Sequence, residues 1–507
     1  MEEKVTFSRT KLAIKNTIFN LIYQASNILA SLLVPPLLIN NFGSAINGLI
    51  ATLKQVITYV QLVGAGISDS TTFSLYKPLS TQDKKGINSI YNATNYAFNV
   101  AGILFSLIAV GVAFIYPVII QSEINYLLVV GIVLALSIAG ASEFFCLGKY
   151  RSLLVADQKI YIVNIAQVVG TIISTIATIV LIKLHCNIFL VQLISSLTYV
   201  LRIIILYAYI KKHYPYLDKK EPKDMSAISK RKDATIHQLA SLVIFGSQTL
   251  FIAKYCGLME VSVYSVYNLV FVGISTILST VSSALLAGFG NVIATSDKEK
   301  LNKVYNVYEY VFYILTFTVF AITSIMIIPF VKLYTSGATD VNYIRGNLVI
   351  LFTIMGLLNC LRTPGATIIN ASGHYKETKS RAIIEMILCV VFQFVFVQKF
   401  GIIGILIGTI IAYLYRTIDV IVYSHQIILK SSLRKTLFRI VVGFTVLIMV
   451  YFISNNININ CQGYFEWMLF AVIVSLIVGM IYLFVNMVVD KKTFIELKDY
   501  MISVIRK

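Results

Sequence analysis

Residues 93–118 read ATNYAFNVAGILFSLIAVGVAFIYPV, a run of 26 residues without a charged side chain. As an α-helix this run would be about 39 Å long, at about 1.5 Å per residue. That length exceeds the roughly 30 Å of hydrocarbon in a lipid bilayer. The run therefore predicts a helix that crosses a membrane.

Runs of this kind recur along the chain, and the composition agrees with them. The 507 residues are 58% hydrophobic and 13% charged, with a mean hydropathy of +0.81, whereas soluble domains are about 25% charged. A soluble fold cannot hide so much apolar surface, but lipid can surround it. We predict an all-α, polytopic membrane protein with about fourteen transmembrane helices, near 14–38, 46–70, 93–118, 125–147, 160–182, 187–210, 237–256, 261–287, 305–331, 346–368, 381–398, 401–425, 437–455 and 465–489.

The positive charge follows these runs. A net charge of +19 in a soluble protein would suggest a nucleic-acid partner, but here the basic residues lie in the gaps between apolar runs, and we expect none. With the N-terminus in the cytoplasm and alternating sides, 36 of the 42 Lys and Arg fall in inward segments. Such a bias marks cytoplasmic loops, so we expect both termini there. The exceptions are Lys54, Lys183, Lys254, Lys332, Arg345 and Lys399.

A polar block occurs twice. Residues 81–92 (TQDKKGINSIYN) match 295–306 (TSDKEKLNKVYN) at six of twelve positions with an offset of 214, and Gly43 meets Gly257 at the same offset. Helices 1–6 and 7–12 are thus predicted to be like-oriented copies related by a pseudo-two-fold axis along the membrane normal, with helices 13 and 14 appended. The expected domains are an N-terminal lobe, a cytoplasmic linker, a C-terminal lobe, and the last two helices with a tail: 1–210, 211–233, 234–428 and 429–507.

The N-terminal region resembles a known family. Phe42-Gly43 followed by Asn47-Gly48-Leu49, Gly64, Gly66 and Ile67 at the end of helix two, and the Leu75–Leu79 exit look like bacterial polysaccharide-unit (Wzx-type) flippases. These belong to a superfamily with multidrug/cation antiporters and lipid II flippases. The resemblance implies two six-helix lobes around a V-shaped central cavity, in the bacterial inner membrane. It also implies export of undecaprenyl-pyrophosphate-linked oligosaccharide, with polymerase and glycosyltransferases of the same pathway and membrane lipids as partners.

Lys54 is the first candidate substrate-binding residue, because its neighbours in helix two are apolar or neutral. A charge at the centre of a bilayer costs roughly 2.5–3.5 kcal/mol on insertion scales, so such a residue usually faces an aqueous cavity. It is expected to bind pyrophosphate, or alternatively to snorkel to the outer interface. The equivalent position in the second copy is Asn268, so a cationic site would be asymmetric.

Helix one carries four amides on one face. They follow i, i+4, i+8 and i+11 spacing, and lipid would not favour such a stripe. The stripe lines either a substrate cavity or a helix contact. Its members are Asn16, Asn20, Gln24 and Asn27.

Charged residues in or beside the other spans complete the candidate set. Arg202, Arg362 and Arg416 lie near inward helix ends, where each could bind pyrophosphate through its planar fork or simply anchor the topology. Four acids are candidates for coupling to H⁺ or Na⁺, since burial can favour their neutral form; for Asp419 an ion pair with Arg416 is the simpler account. The acids are Glu143, Glu309, Glu385 and Asp419.

The sequence leaves two alternatives to a flippase: another kind of transporter and an enzyme. A cation-coupled drug or metabolite exporter of the same superfamily would usually have twelve helices. A polytopic polymerase, ligase or glycosyltransferase would need a sizeable outward loop or a carboxylate motif, and the chain has no DxD, GxxxxGK[ST] or HExxH motif. The expectation is a transporter without catalytic residues, metal site or cofactor.

Overall fold

The computed structural model describes residues 2–120, 123–218, 221–228, 232–294, 298–454 and 461–505. Thr295 and Asp297 of the repeated block lie outside these residues, as do parts of the predicted linker. Within the described residues, every regular element is a helix. Among the described residues, twelve helices are long and apolar enough to cross a membrane, so the protein is an all-helical, multi-pass membrane protein.

The helices are numbered in chain order. The first nine are α1 Glu2–Phe42, α2 Ser44–Val60, α3 Ile67–Ser80, α4 Lys84–Ile120, α5 Tyr126–Ser142, α6 Gly148–Ala156, α7 Ile160–Lys183, α8 Ile188–Leu197 and α9 Tyr199–His213. The others are α10 Lys232–Tyr255, α11 Leu258–Ala294, α12 Lys298–Tyr334, α13 Gly346–Leu361, α14 Thr363–Ala371, α15 Tyr375–Tyr423, α16 Arg434–Ser454, α17 Tyr464–Val489 and α18 Lys491–Ile505. Short 3₁₀ turns cover Gln61–Gly64 and Met225–Ile228, and π-helical turns cover Glu143–Leu147 and Ser424–Leu429.

The chain forms two compact units. Unit 1 comprises Met1–Leu242 with Gly257–Ser262, and unit 2 comprises Val243–Cys256 with Val263–Lys507. In unit 1, α1 packs on α7, α4 on α5, and α3 on both α4 and α6. In unit 2, α12 is central, with α13, α16 and α17 packed against it.

Two predicted spans are joined in α15. At Gly401 the backbone leaves the helical region, with φ 55° and ψ −133°, a conformation that glycine adopts most readily. The second arm then runs back along the first: a Cβ on Gly404 would lie 2.2 Å from the Phe396 carbonyl oxygen, and one on Gly408 would lie 2.5 Å from the Gln393 nitrogen. The segments 381–398 and 401–425 are thus the two arms of a tight helical hairpin, packed through small residues as in other membrane helices.

The count of twelve differs from the expected fourteen for two reasons. The count takes Tyr375–Leu429 as one helix, although the reversal at Gly401 divides α15 into two antiparallel arms. The predicted span 237–256 corresponds to a shorter apolar helix, Leu239–Tyr255. Predicted span 46–70 is also interrupted, because Gly66 has φ 80° and α3 begins after it.

The sequence repeat has a structural counterpart. Helices α4 and α12 are each 37 residues long and begin at Lys84 and Lys298, which is the offset of 214. Gly43 and Gly257 precede α2 and α11, and their φ angles are 85° and 92°. The same chain geometry therefore recurs at the same offset in both copies.

The described part of the predicted linker packs on unit 1. Asn88 donates to the Tyr216 carbonyl oxygen at 3.0 Å and accepts from the Asp218 nitrogen at 3.0 Å. One turn later, Asn92 donates to the carbonyl oxygens of Asp218 at 2.9 Å and Glu221 at 3.1 Å. Since these bonds satisfy backbone groups that have no helix of their own, they fix the linker along the start of α4.

Gly48 provides a test of the packing in unit 1. A Cβ at this position would lie 1.8 Å from the Leu258 carbonyl oxygen, so the backbones of α2 and α11 touch there. Gly48→Ala should destabilise the protein by about 1–3 kcal/mol, because overpacking forces backbones apart. Thermal unfolding in detergent would measure the loss.

Gly111→Ala is the matched control, since a Cβ at Gly111 has no neighbour within 4 Å. In a helix interior this change should be neutral or stabilising by roughly 0.5–1 kcal/mol. Equal melting temperatures for the two variants would contradict the close approach.

Candidate substrate site

Lys54 lies on α2, whose other side is buried by residues such as Leu49, Leu53 and Ile57. The Lys54 side chain itself is exposed. Within the described part of the chain its ammonium group has no ion pair or hydrogen bond. A cation held mid-helix without a partner is costly in hydrocarbon. The two alternatives for Lys54, a pyrophosphate ligand or a side chain that reaches the outer interface, both stay predictions.

The amide face of α1 divides into two kinds of residue. Asn16 donates to the Gln158 carbonyl oxygen at 2.8 Å and accepts from the Tyr161 nitrogen at 3.0 Å, which joins α1 to the turn before α7. The other three have no partner among the described residues; Asn20 is exposed, and Gln24 and Asn27 are half-buried. Asn16 thus makes a helix contact, and the cavity-lining role predicted for the other three amides stays a prediction. The binding role predicted for Asn16 stays a prediction.

Arg202 is packed between helices. Its Nη2 donates to the Thr171 hydroxyl at 3.1 Å, and its guanidinium lies 4.0 Å from the centre of the Tyr199 ring. A Cβ on Gly170 would lie 2.3 Å from Nε. Arg202 therefore joins α7 to α9, and its predicted binding role stays a prediction.

Glu143 is paired at an irregular turn. It begins the π-helical turn Glu143–Leu147, and its carboxylate oxygen lies 2.9 Å from Nη1 of Arg151. The two side chains are 28% and 39% exposed. Of the four candidate acids, Glu143 is the most accessible.

Five charged residues of unit 2 meet at the hairpin and form what we call the hairpin cluster: Arg362, Arg381, Glu385, Arg416 and Asp419. Glu385, which is 6% exposed, lies 2.5 Å from Nη1 of Arg362 and 3.5 Å from Nε of Arg416. Asp419 lies 2.7 Å from Nη1 of Arg416 and also pairs with Arg381. Four predicted site residues thus form one network, and the i, i+3 ion pair of Asp419 with Arg416 is confirmed.

The antiparallel arms of α15 create this network. Arg381 and Glu385 lie one turn apart near the start of the first arm, and Arg416 and Asp419 lie near the end of the second. Arg362 follows α13 and is additionally held by Asn359 Oδ1 at 2.7 Å. The charges therefore meet because Gly401 reverses the chain.

Glu309 belongs to a second network, the Arg439 cluster, formed by Glu309, Thr436, Arg439 and Asp490. Arg439 is 3% exposed and lies 3.0 Å from Glu309 and 2.7 Å from Asp490. Thr436 donates to the same Glu309 oxygen at 2.8 Å. This cluster joins α12 to α16 and to the end of α17, so Glu309 contributes to the attachment of the two C-terminal helices.

Asp490 follows the end of α17 and titrates outside the membrane-spanning segments. Burial alone would raise the pKa of its carboxyl, but the hydrogen bonds and charge of Arg439, with bonds from Thr493, outweigh burial and lower the pKa from its ordinary value of 3.8. The carboxylate form is therefore stabilised in the folded protein.

Comparison with known proteins identifies the fold. Neither a protein-family model nor a curated protein matches the chain. Solved structures do match, beginning with the lipid II flippase MurJ in an inward closed conformation (15% identity, TM-score 0.69, 93% of this chain and 99% of that one). The chain has the fold of MOP-superfamily transporters.

Two further structures share this transporter fold. One is an inward-facing multidrug resistance MATE family transporter of the MOP superfamily, with 15% identity, a TM-score of 0.58, and coverage of 81% of this chain and 94% of that one. The other is a MOP superfamily transporter from Pyrococcus furiosus, with 14% identity, a TM-score of 0.56, and coverage of 84% and 97%. The finer resemblance to Wzx-type flippases stays a prediction.

The MOP-transporter fold brings together residues that sequence reasoning did not single out. These residues are Arg381 and Arg439, which counted only as basic residues of inward segments, and Asp490, which was not a candidate. Their partners lie 38, 130 and 51 positions away, in the pairs Arg381–Asp419, Arg439–Glu309 and Arg439–Asp490. One signal was available, since Arg439 lies inside the predicted span 437–455, five residues after the start of α16 at Arg434.

Replacing Arg439 should loosen the C-terminal helices. Arg439→Met leaves the buried Glu309 carboxylate and the half-buried Asp490 carboxylate without their cation, and breaking a buried pair costs about 3–5 kcal/mol. The melting temperature in detergent should fall accordingly. Arg434→Met, an exposed position of the same helix, should leave it unchanged; a similar loss for both variants would contradict the role of the cluster.

Asp490 should make stability depend on acid. Its folded-state pKa is lowered, so its contribution is complete above the unfolded pKa and is lost as pH falls through the folded value. Wild type should lose more stability than Asp490→Asn between about pH 5 and pH 3. Parallel melting curves for the two proteins over that interval would show that the pair contributes nothing.

Proposed function

We propose that this protein is a transporter that flips undecaprenyl-pyrophosphate-linked oligosaccharide repeat units across the bacterial inner membrane by alternating access, for the synthesis of capsule, O-antigen or exopolysaccharide. Both termini are cytoplasmic in this proposal. The polymerase and glycosyltransferases of the pathway, together with membrane lipids, are its partners.

The observation that carries the proposal is Lys54. Its ammonium group has no ion pair or hydrogen bond among the described residues, whereas Arg362 and Arg416 are paired with carboxylates and Arg202 donates to the Thr171 hydroxyl. A cation without a counter-ion in a spanning helix is the group that a diphosphate would satisfy. Asn20, Gln24 and Asn27 add unpaired amides on α1, suited to sugar hydroxyls.

The fold likeness supports a lipid-linked cargo over a drug. The lipid II flippase matches 93% of this chain, against 81% for the inward-facing MATE transporter. An extra helix pair beyond two six-helix copies is therefore compatible with a flippase. A cation-coupled drug or metabolite exporter of the same fold remains the second candidate, because MATE transporters also match over more than four-fifths of the chain.

Transport by alternating access needs an energy source, which we propose to be H⁺ or Na⁺. A carboxylate held by a buried guanidinium must lose that partner before it can bind a cation, and this applies to Glu309, Glu385 and Asp419. Glu143 has a single, more exposed partner. It is therefore the acid to test first.

Lys54→Ala should abolish the function while the protein still inserts. In a bacterial strain whose own flippase is deleted and whose polysaccharide depends on this protein, surface polysaccharide should fall at least about tenfold, as expected for loss of a charge-assisted contact to phosphate. Lys54→Arg, which keeps the charge, should retain part of the output. Immunoblots of the membrane fraction establish equal amounts of protein.

Lys183→Ala is the matched control, because Lys183 is an exposed lysine at the end of α7 in the same unit. It should leave polysaccharide output unchanged. Normal output from Lys54→Ala would remove Lys54 from the site. Efflux of a cationic dye from vesicles, unaffected by lipid-linked oligosaccharide, would favour the drug exporter.

A further inference from the structure

The hairpin cluster carries a surplus of positive charge. It contains three guanidinium groups and two carboxylates, Glu385 and Asp419. Glu385 is shared by Arg362 and Arg416, and Asp419 is shared by Arg416 and Arg381. Two carboxylates cannot neutralise three arginines, so one positive charge remains without a counter-ion inside the cluster.

This surplus is most accessible at Arg381. Its side chain is 37% exposed, whereas Arg362 and Arg416 are 16% and 12% exposed. In the part of the chain that the structure describes, Arg381 has one ion-pair partner, Asp419, which already receives a hydrogen bond of 2.7 Å from Arg416. The Arg381 guanidinium also lies 4.8 Å from the centre of the Tyr423 ring, and stacking of this kind holds a guanidinium in place. A new anion can therefore reach Arg381 without opening the buried pairs of Glu385.

We infer that Arg381 binds the diphosphate group of the cargo at the end of unit 2 that the charge pattern places in the cytoplasm, and that Asp419 competes with that group for Arg381. The inference rests on the proposed function and names the residue that first receives the headgroup. Guanidinium matches two phosphate oxygens at once through its planar fork. A diphosphate also carries more negative charge than the single carboxylate that it displaces, so it supplies what the cluster lacks.

Competition explains why two acids accompany the three arginines. Without the two acids, three like charges would repel one another. When the anion leaves, Asp419 forms an ion pair with Arg381 again, so the guanidinium always has a counter-ion. Arg416 keeps Asp419 close, at 2.7 Å.

Binding to purified full-length protein in lipid nanodiscs tests the inference. Two probes are used: farnesyl diphosphate, which is a short polyprenyl diphosphate, and inorganic pyrophosphate. Farnesol is the uncharged control. Arg381→Ala should weaken farnesyl diphosphate binding at least about tenfold, the loss expected for one hydrogen-bonded charge pair. Asp419→Asn should strengthen it several-fold, because the competitor loses its charge while its shape is kept.

Lys376→Ala is the matched control. Lys376 is an exposed lysine in the first turn of the same helix, and its removal subtracts the same charge without touching the cluster. Affinity should stay within about twofold of wild type. If Lys376→Ala and Arg381→Ala weaken binding equally, the effect is general attraction by surface charge, and the inference is wrong.

The opposite changes in affinity expected for Arg381→Ala and Asp419→Asn distinguish a binding role from a purely structural one. A cluster that only holds helices together would lose affinity, melting temperature, or both in each variant, and weaker binding in Asp419→Asn at an unchanged melting temperature would overturn the inference. If Asp419→Asn itself melts early, Arg381→Lys decides: it keeps the charge but not the fork, so its affinity should fall between wild type and Arg381→Ala. Affinity in Arg381→Lys below that of Arg381→Ala would also overturn it.

The two probes distinguish the source of the diphosphate. Binding of both, weakened together in Arg381→Ala, would show a site for the diphosphate group itself; binding of farnesyl diphosphate alone would show that the lipid chain is required. Failure here and failure of the proposed function are distinct. Transport that depends on Lys54 with unchanged diphosphate affinity in Arg381→Ala refutes the Arg381 site alone, whereas no binding of polyprenyl diphosphate in any variant, including wild type, refutes the flippase.

Discussion

Hydrocarbon provides no hydrogen bonds and stabilises no charge, so a charged side chain on a spanning helix must find an opposite charge or reach water. Unit 2 satisfies this requirement internally. Glu309, Glu385 and Asp419 each lie against an arginine within the unit. The Glu309–Arg439 pair fixes α12 against α16. The pairs of Glu385 and Asp419 fix the two arms of α15 against each other and against the end of α13, because moving any of these segments would leave a buried charge alone.

Unit 1 meets the same requirement differently. Arg202 and Glu143 have partners nearby, but Lys54 has none among the described residues. At the repeat offset, the position of Lys54 is occupied in unit 2 by Asn268, a neutral amide. The two copies thus share helix lengths and turn geometry but not charge. In our proposal this difference gives the anionic headgroup one cationic site in unit 1 and a second at Arg381.

Hydropathy and charge bias were enough to predict an all-helical membrane fold, because the apolar content and length of a span are local properties. The reversal at Gly401 was also visible in the sequence as a break between two apolar runs. What the sequence could not reveal was pairing across helices. Asn16 has the same spacing as Asn20 and Gln24, yet only Asn16 meets the turn at Gln158, and Arg381 resembled any other topology-determining cation. Side-chain partners depend on which helices are neighbours and on their rotation, and neither follows from hydropathy.

The asparagine that is repeated at positions 92 and 306 holds a different segment in each copy. In unit 1, Asn92 holds the polypeptide that leaves the six-helix copy; in unit 2, Asn306 receives the Arg439 guanidinium at 2.8 Å and donates to Thr493 at 3.1 Å. The repeated asparagine therefore provides a docking position at the same place in each copy. The start of α18 occupies in unit 2 the place that the connecting segment after α9 occupies in unit 1, so the last helices complete the packing at the start of α12.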